Sequence, residues 1–344
     1  MLEKLELINF RNYKEIRVEF SPKVNVIWGD NGQGKTNLLE AIHILAFTKS
    51  MRTNRETDLI KFEEDFFVIK GDSLEIRLSH GERRSMFNNG VKYSTAREWL
   101  GILPIVFFGP QELNIIHGEP GFRRRFLDMA ICQYKKKYTH AMSVYKRARE
   151  QKSKILREYL DKPSLLDTLP EFNEKMIQSG EVILSERIDF IKLLLEKAKV
   201  YHSSISSNKE NLDIEYQTKE NLREEIKNST DREIKAGTCL VGPHRDDIII
   251  SINGLNSRSY ASQGQVRTAA LALKLSERDI LDEKLESTPI MLLDDVLSEL
   301  DNKRRDYILN HQEKGQTLIT DCEPARLKSL YIGKTLHVKD GKIG

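Results

Sequence analysis

The sequence predicts an α/β protein in which a mixed β-sheet with helices, together with an antiparallel β layer, is divided by an inserted α-helical arm. Short apolar segments alternate with turn residues over roughly the first 120 residues and again after Gly237. Between them, apolar residues recur at helical spacing with few helix breakers. We therefore predict that residues 1–122 and 237–344 form the α/β part and that residues 123–236 form the arm.

The N-terminal elements are recognised by their apolar periodicity. Alternating apolar and polar residues over 5–20 predict paired strands with one buried face. Residues 24–28 predict a strand that runs directly into a glycine-rich loop, and residues 36–47 predict the helix that follows it. Residues 74–78 and the Asn-Asn-Gly turn at 88–90 predict a hairpin of the antiparallel layer.

The arm is predicted from long amphipathic stretches. An apolar stripe over residues 122–163 predicts one helix roughly 50 Å long, at about 1.5 Å per residue. Two prolines within residues 161–170 predict a turn, and residues 176–198 predict a second long helix. Two such helices with a short connection form an antiparallel pair. A shorter charged helix is expected at residues 221–235.

The C-terminal elements follow the same rules. Residues 248–252 predict a strand that ends in the hairpin turn Asn253-Gly254. A helix is expected to follow Gln265, and the apolar strand 290–293 ends in two aspartates.

Composition excludes several classes of protein. The 344 residues carry a net charge of only +3, so the total charge does not indicate nucleic acid. The three cysteines lie far apart, which favours a reducing compartment over a disulfide framework or a zinc site. Apolar runs stay well below the ~20 residues that span a bilayer, and charges interrupt the N-terminus. We expect a cytoplasmic protein with no membrane contact.

The glycine-rich loop matches the phosphate-binding pattern G-x-x-x-x-G-K-[ST] in the context of a strand before it and a helix after it, which favours function over a chance match. Its residues are Gly29, Asp30, Asn31, Gly32, Gln33, Gly34, Lys35 and Thr36. Backbone N–H groups would face phosphate oxygens, with added support from the N-terminus of the helix. Lys35 would contact the β- and γ-phosphates and Thr36 would ligate Mg²⁺. The loop therefore predicts binding of ATP with Mg²⁺.

Two carboxylates follow the apolar strand near residue 290. Large apolar residues are typical of a buried parallel strand, and ligands bind at the carboxyl ends of such strands. We expect Asp294 to hold Mg²⁺, directly or through water, and Asp295 to polarise the attacking water. The alternative is an acidic loop after a core strand.

A second anion site is suggested by Ser262, Gly264 and Gln265, which precede or begin a helix. Taken alone, this pattern fits a helix cap at least as well. Its position about 30 residues before the acidic strand, with Ser298-Glu299-Leu300-Asp301 after that strand, resembles the signature motif and D-loop of ABC-type ATPases. That resemblance implies a P-loop ABC-type ATPase head, and an ATP-dependent homodimer with two ATP molecules sandwiched head to tail.

Four further segments narrow the resemblance. They are NFRNY at residues 9–13, FGPQEL at 108–113, GFRRRFLD at 121–128 and GPHRDD at 242–247. Together they resemble the RecF family of bacterial recombination mediators over nearly the whole chain. The resemblance implies a weak, switch-like ATPase that acts in recombinational DNA repair, replication-gap processing and SOS induction. It also implies RecR and RecO as partners that help to place RecA on gapped DNA. An SMC-like DNA-bridging head and an ABC transporter ATPase subunit are the alternatives.

Five further residues bear on the hydrolysis rate, the class of ATPase and the metal site. Asp295 stands where transporter ATPases usually place Glu, so we expect slow hydrolysis. Thr320 and Asp321 stand where a transporter places its switch histidine. Gln111 is expected to bind the Mg²⁺ ion or the water, although Glu112 could take that role.

A basic segment predicts contact with DNA. Residues 123–157 carry twelve Lys or Arg residues and two acidic ones, a local charge of +10. Such a helix attracts a phosphate backbone in a salt-dependent way, with little sequence preference. The alternative is a solvated amphipathic helix, and arginines 123–125 are expected to be structural or coupled to the nucleotide. The resemblance favours DNA, whether single-stranded, double-stranded or gapped.

One further motif has an open role. His244-Arg245-Asp246 is similar to a kinase catalytic loop, but Ser251 stands where the kinase asparagine is expected. We therefore exclude a kinase. A structural and a catalytic role for this motif remain equally open.

Overall fold

The computed structural model describes residues 1–296, 304, 305, 307, 315–322 and 332–344. The chain divides into two compact units. The first comprises Met1–Leu113, Ser204–Ser207 and Ala270–Gly344, and the second comprises Asn114–Ser203 and Asn208–Ala269. This division falls at other residues than the predicted boundaries at 122 and 236, which stay a prediction.

The elements of the described residues follow in chain order. The strands are β1 (Lys4–Phe10), β2 (Tyr13–Glu19), β3 (Val24–Trp28), β4 (Phe66–Gly71), β5 (Leu74–Ser79), β6 (Ser85–Asn88), β7 (Val91–Tyr93), β8 (Ile105–Phe108), β9 (Leu212–Gln217), β10 (Asp247–Ile252), β11 (Leu255–Asn256), β12 (Ile290–Asp294), β13 (Thr317–Asp321), β14 (Ile332–Lys339) and β15 (Lys342–Ile343). The α-helices are α1 (Lys35–Phe47), α2 (Ala96–Trp99), α3 (Asn114–His117), α4 (Pro120–Tyr134), α5 (Lys136–Glu158), α6 (Leu169–Ile205), α7 (Leu222–Ala236), α8 (Ser257–Tyr260) and α9 (Gln263–Lys284).

The first unit contains two six-stranded sheets. One is mixed, in the order β15-β14-β3-β13-β12-β8, and its strands are parallel except for β15. The other is antiparallel, in the order β2-β1-β4-β5-β6-β7. These sheets and the long helices of the second unit confirm the predicted fold class.

The first helix of the chain lies between these two sheets. α1 contacts β4 and β5 of the antiparallel sheet and β8, β12 and β13 of the mixed sheet. Eleven of its 13 residues are therefore buried. Apart from Lys35, Glu40 and His43, these buried residues are apolar, as expected for a helix that belongs to a core. Its N-terminus, directly after the glycine-rich loop, is consequently held on a rigid scaffold.

In the mixed sheet, β13 pairs with β3 on one side and with β12 on the other. The glycine-rich loop follows β3, Asp294 ends β12, and Thr320 is the penultimate residue of β13. Because these three strands are parallel, the loop and both side chains lie at the same edge of the sheet, where α/β proteins bind ligands.

The second unit holds the long helices and a small sheet of β11, β10 and β9. Tyr138 of α5 accepts a hydrogen bond from Arg187 of α6 at 2.9 Å. Seven residues later in α5, the ring of Tyr145 packs beside Gly180, which lies seven residues earlier in α6; a Cβ built on Gly180 would be 3.5 Å from that ring. The two helices therefore run antiparallel, as predicted.

The expectation of one continuous helix over residues 122–163 was wrong. The backbone is extended at Lys135 (φ −114°, ψ 92°), which separates α4 from α5. The hydroxyl of Thr139 lies 3.3 Å from the carbonyl oxygen of Cys132 and 3.2 Å from that of Lys135. These two carbonyls therefore keep a hydrogen-bond partner at the helix break. Neither Gly nor Pro marks the break, and the apolar stripe continues across it.

In the part of the chain that the structure describes, no helix has both the length and the apolar character needed to cross a membrane.

Candidate nucleotide-binding site

A cavity of about 400 Å³ opens at the carboxyl edge of the mixed sheet, within the first unit. Its lining brings together eight residues predicted for the site: Asn31, Gly32, Gly34, Lys35, Thr36, Gln111, Asp294 and Asp295. Gly29, Asp30 and Gln33 belong to the same loop but are not among the lining residues. Residues as far apart in sequence as Thr36 and Asp294, which are 258 positions apart, thus meet in one place.

The loop takes a path that only glycine adopts easily. Gly29 and Gly34 have φ values of 152° and 118°, in the region that disfavours side chains. A Cβ at Gly34 would also lie 2.7 Å from the amide of Asn12 and 2.9 Å from the hydroxyl of Tyr13. At Gly29 it would collide with the carbonyl oxygen of Val338. Both glycines are therefore required by close packing as well as by conformation.

A hairpin turn holds the loop from outside. Asn12 lies in the two-residue turn between β1 and β2 and donates from Nδ2 to the carbonyl of Gln33 at 2.8 Å. Tyr13 donates its hydroxyl to the carbonyl of Gly34 at 2.9 Å. Burial raises the pKa of Tyr13, so this hydroxyl stays a donor. These bonds fix the loop through its carbonyls and engage none of its N–H groups.

The loop lysine is already held in place. Lys35 is 7% exposed, and its Nζ donates to the carbonyls of Gly29 at 2.7 Å and Asp30 at 3.0 Å. Its side chain is therefore folded over its own loop, at the N-terminus of α1 and at the lining of the cavity.

The acidic edge faces this loop. Thr36 donates its hydroxyl to Oδ1 of Asp294 at 2.9 Å, which ties the start of α1 to the end of β12. Burial raises the pKa of Asp294, and the hydrogen bonds from Thr320 and Thr36 oppose that rise. A serine or threonine hydroxyl beside a carboxylate is the donor set that a hard cation such as Mg²⁺ accepts. The residues present thus fit a Mg²⁺ ion bound with a nucleotide.

Gln111 and Glu112, the two candidates for binding Mg²⁺ or the water, have different surroundings in the structure. Gln111 lines the cavity. Oε2 of Glu112 instead accepts a bond from Nζ of Lys274 at 3.3 Å. The assignment of Gln111 stays a prediction, with its position in its favour.

The three predicted signature residues do not line this cavity. Ser262 accepts from the N–H of Gln265 at 3.3 Å, and the side chain of Gln265 accepts from the N–H of Ser262 at 2.8 Å. This reciprocal arrangement is a capping box at the start of α9. Gly264 accepts a bond from Thr268 within the same helix. In the single chain the segment therefore caps its helix, and Ser262 is exposed. Residues 298–301, the predicted D-loop, lie outside the described residues.

Arg52 lines the cavity, although no role was predicted for it. Nη1 of Arg52 donates to Asn37 at 2.8 Å and lies 3.7 Å from Oε2 of Glu40. The buried carboxylate of Glu40 also accepts two bonds from Arg11, at 2.8 and 2.9 Å. No pattern marks Arg52 in the sequence, because tertiary contacts alone bring it to the site.

Several cations of the basic segment, residues 123–157, form hydrogen bonds or ion pairs within the second unit. The guanidinium of Arg123 is buried and bonds both carboxylate oxygens of Asp247, at 2.7 and 2.9 Å. Lys152 is fully buried, with its Nζ 2.5 Å from Oε2 of Glu233. Arg124 donates to the carbonyl of Asp246 at 2.7 Å. Arg123 and Lys152 are therefore withdrawn from any open basic surface, and Arg124 is partly engaged by the chain itself.

A narrower basic surface remains on α5. Five exposed cations lie within an arc of about 100° around the helix axis. We call this surface the α5 basic face, and its residues are Lys136, Lys146, Arg147, Lys154 and Arg157. One acid lies within the same arc, Glu150, whose Oε1 is 3.8 Å from Nζ of Lys146. The face has a net charge of +4, from five positive charges and one negative.

The GPHRDD segment joins the helices to the small sheet of the second unit. Arg187, 2% exposed on α6, donates to Asp128 at 2.7 Å and to the carbonyl of Pro243 at 2.9 Å. Nδ1 of His244 lies 2.7 Å from the hydroxyl of Tyr145. Burial lowers the pKa of His244 to about 4, so the ring is neutral at pH 7. These contacts favour a structural role for the segment.

Known proteins resemble this chain over its full length. A family model described as the RecF/RecN/SMC N terminal domain matches residues 1–100. The DNA replication and repair protein RecF of Agathobacter rectalis is 36% identical over 356 residues, covering 100% of this chain and 98% of the relative. RecF of Clostridium kluyveri is 36% identical over 360 residues, covering 99% of both.

Solved structures agree. A structure of the recombination mediator protein RecF with ATP, described as part of the RecFOR pathway, has a TM-score of 0.92 and 35% identity, with 100% of this chain and 96% of that chain covered. The Smc head domain of Pyrococcus furiosus has a TM-score of 0.56 at 19% identity, with 99% and 94% of the two chains covered, which shows the fold alone. The predicted resemblance is confirmed, and this chain belongs to the RecF family of DNA replication and repair proteins.

Proposed function

We propose that this protein binds ATP with Mg²⁺ and hydrolyses it slowly, as a switch that acts on DNA during recombinational repair and replication-gap processing. One observation carries the proposal. The cavity joins the glycine-rich loop and Lys35 to the acidic end of β12, with the Thr36 hydroxyl 2.9 Å from Asp294. A relative of 35% identity has a solved structure described as RecF-ATP.

Each part of the site has a place in this reaction. Lys35 and the N-terminus of the 13-residue helix α1 supply positive charge for the phosphates. Thr36 and Asp294, with Gln111 near them, would hold Mg²⁺, which would neutralise charge on the β- and γ-phosphates. Asp295 would orient a water molecule. The water oxygen bonds to the γ-phosphorus, the bond from that phosphorus to the bridging oxygen of ADP breaks, and a water proton passes to the released phosphate.

The rate follows from the length of one side chain. Asp295 is one methylene shorter than the glutamate common in transporters, so its carboxylate holds the water in a less favourable position. A misplacement of about 1 Å can cost roughly 100-fold in rate. Slow turnover suits a timed switch.

The signature residues support a dimer that ATP completes. Ser262, Gly264 and Gln265 lie outside the lining of the cavity, yet Ser262 is exposed at the start of a 22-residue helix. Such an N-terminus attracts anions. In a second copy arranged head to tail, these residues would meet the γ-phosphate held by the first copy.

DNA and protein partners complete the proposal. The α5 basic face would contact a phosphate backbone in single-stranded, double-stranded or gapped DNA. By family, RecR and RecO are the proposed partners, and loading of recombinase with SOS induction is the proposed outcome.

The relatives are DNA replication and repair proteins, which disfavours a transporter subunit. The SMC-like alternative, a head that bridges DNA, shares the fold and predicts tethering without turnover.

Sedimentation velocity with ATP, ADP and gapped DNA tests the proposal. We expect the protein to form a dimer with ATP and to bind DNA more tightly in that state. Lys35→Arg should keep the fold but lose dimerisation or turnover, while Lys14→Arg, an exposed change on β2, should behave as the native protein does. Ser262→Arg should bind ATP and remain a monomer. The proposal fails if ATP alters neither the mass nor the affinity for DNA.

A further inference from the structure

Thr320 lies at the centre of the mixed sheet. Its backbone pairs with Ile27 of β3 on one side and with Asp294 of β12 on the other. The side chain is only 1% exposed, yet it lines the cavity. It is thus placed between the strand that enters the glycine-rich loop and the strand that carries the carboxylates.

The hydroxyl of Thr320 contacts both aspartates. It donates to Oδ1 of Asp294 at 2.9 Å and accepts from the backbone N–H of Asp295 at 2.8 Å. A hydroxyl has a single hydrogen to donate, so the donor function is committed to Asp294. Thr36 donates to the same oxygen at 2.9 Å. Two hydroxyls from different elements therefore fix the rotation of one carboxylate.

The backbone of Asp295 requires support. Its φ is +52°, in the left-handed region that residues other than glycine rarely adopt. Such conformations persist only where the surrounding structure holds them. The bond from the N–H of Asp295 to Thr320 supplies one such restraint, at the residue that would orient the water.

We propose that Thr320 is a positioning residue for ATP hydrolysis, whose single hydroxyl sets the orientation of both Asp294 and Asp295. The inference rests on the proposed function. A β-branched side chain suits this task, because its χ1 angle is stiff. The hydroxyl carries no charge, so Thr320 orients the two acids without a proton transfer of its own.

The test compares Thr320→Val, which keeps the shape and removes the hydroxyl, with Thr320→Ser, which keeps the hydroxyl. Loss of a hydrogen bond to a charged group corresponds to roughly a tenfold or larger change. We expect Thr320→Val to lower kcat by about that factor and to raise the Mg²⁺ concentration for half-maximal binding of a non-hydrolysable ATP analogue, measured by calorimetry. ATP affinity in EDTA should stay within about twofold of the native value. Thr320→Ser should recover most of both properties.

A matched control lies on the same strand. Thr317→Val is also a buried Thr-to-Val change, three residues earlier and about 10 Å away at the rise of a strand. It should leave kcat and the Mg²⁺ dependence unchanged. In a double-mutant cycle with Asp295→Asn, the effects of Thr320→Val on kcat should be less than additive, because both changes disturb the same water.

Three results would overturn the inference: Thr320→Val that matches the native protein, Thr317→Val that matches Thr320→Val, or Thr320→Ser as impaired as Thr320→Val. If Thr320→Val does not fold, Thr320→Ala takes its place in the same comparison. Failure of the proposed function is a separate result, since the native protein would then show no turnover that Lys35→Ala removes.

Discussion

The hydroxyl of Tyr13 shows how one atom far from the phosphates can govern their binding. It donates to the carbonyl of Gly34, the residue whose positive φ turns the loop into α1. Beside it, Asn12 bonds Gln33. The carbonyl of Gly34 also accepts the helical bond from the N–H of Leu38 at 3.1 Å, so removal of the hydroxyl costs one hydrogen bond, about 0.5–1.5 kcal/mol. Part of that cost should appear as a looser loop.

We predict that Tyr13→Phe weakens ATP binding by roughly two- to fivefold, because the loop would lose one of its outer restraints. Calorimetric titration with ATP in EDTA measures this effect without interference from turnover. Tyr93→Phe removes a hydroxyl from the same unit at β7 and should leave the affinity unchanged. Equal affinity in native protein and Tyr13→Phe would refute the role of the hydroxyl.

At the residue scale, sequence reasoning found what local patterns encode. The loop residues from Gly29 to Thr36 and the pair Asp294-Asp295 follow directly from motif and strand. Arg52 and Thr320 could not be assigned in that way, since tertiary contacts alone give them their roles. Thr320 was noticed only as the residue where a histidine was expected, and its contacts with both aspartates emerged from the pairing of β12 with β13.

Helix α5 illustrates the same limit at the scale of an element. Its sequence suggests a continuous basic surface, yet burial withdraws Lys152, which pairs with Glu233. The exposed set that remains, the α5 basic face, is narrower than the predicted segment. The break at Lys135 was not foreseeable either, because neither glycine nor proline announces it and the apolar period continues from α4 into α5.

We predict that Lys146→Glu, Arg147→Glu and Lys154→Glu together weaken DNA binding and lower the salt dependence. If each cation neutralises one phosphate, the slope of log K against log salt should fall by roughly 2–3. Fluorescence anisotropy with gapped DNA over a range of salt measures it. Lys192→Glu, Lys209→Glu and Lys227→Glu change the net charge of the second unit equally at other exposed positions. A similar loss in that control would assign the effect to overall charge.

At the scale of the whole molecule, hydrolysis and dimerisation should be separable. Asparagine tolerates a positive φ better than most residues, so Asp295→Asn should keep the backbone near +52° while it removes the carboxylate. We predict that this variant binds ATP and accumulates as a dimer. Its turnover rate should fall by roughly 100-fold or more, because the group that orients the water is missing.

The lifetime of that dimer is the measurement. After ATP is diluted or removed, sedimentation or light scattering should show Asp295→Asn dissociating much more slowly than the native protein. Ser262→Arg combined with Asp295→Asn should prevent the dimer altogether. Rapid dissociation of Asp295→Asn would show that release does not depend on hydrolysis.

The fold class was easier to predict from the sequence than the division of the chain into two compact units. Alternation identified the antiparallel strands, and continuous apolar segments identified the buried parallel ones, because each pattern reflects how many faces of a strand are covered. Sequence patterns do not record which unit a segment joins. Residues 237–269 belong to the same unit as α4 and α5, although their β texture suggested the α/β part.

The bonds that Lys35 makes to the carbonyls of Gly29 and Asp30 have a thermodynamic consequence. A lysine side chain free in solvent loses about 1.5–2 kcal/mol of rotamer entropy when a ligand immobilises it. Here folding has already imposed that loss, so an arriving phosphate exchanges one set of oxygen partners for another. The binding entropy of ATP should therefore contain little contribution from this side chain, and the ammonium group is preorganised before the nucleotide arrives.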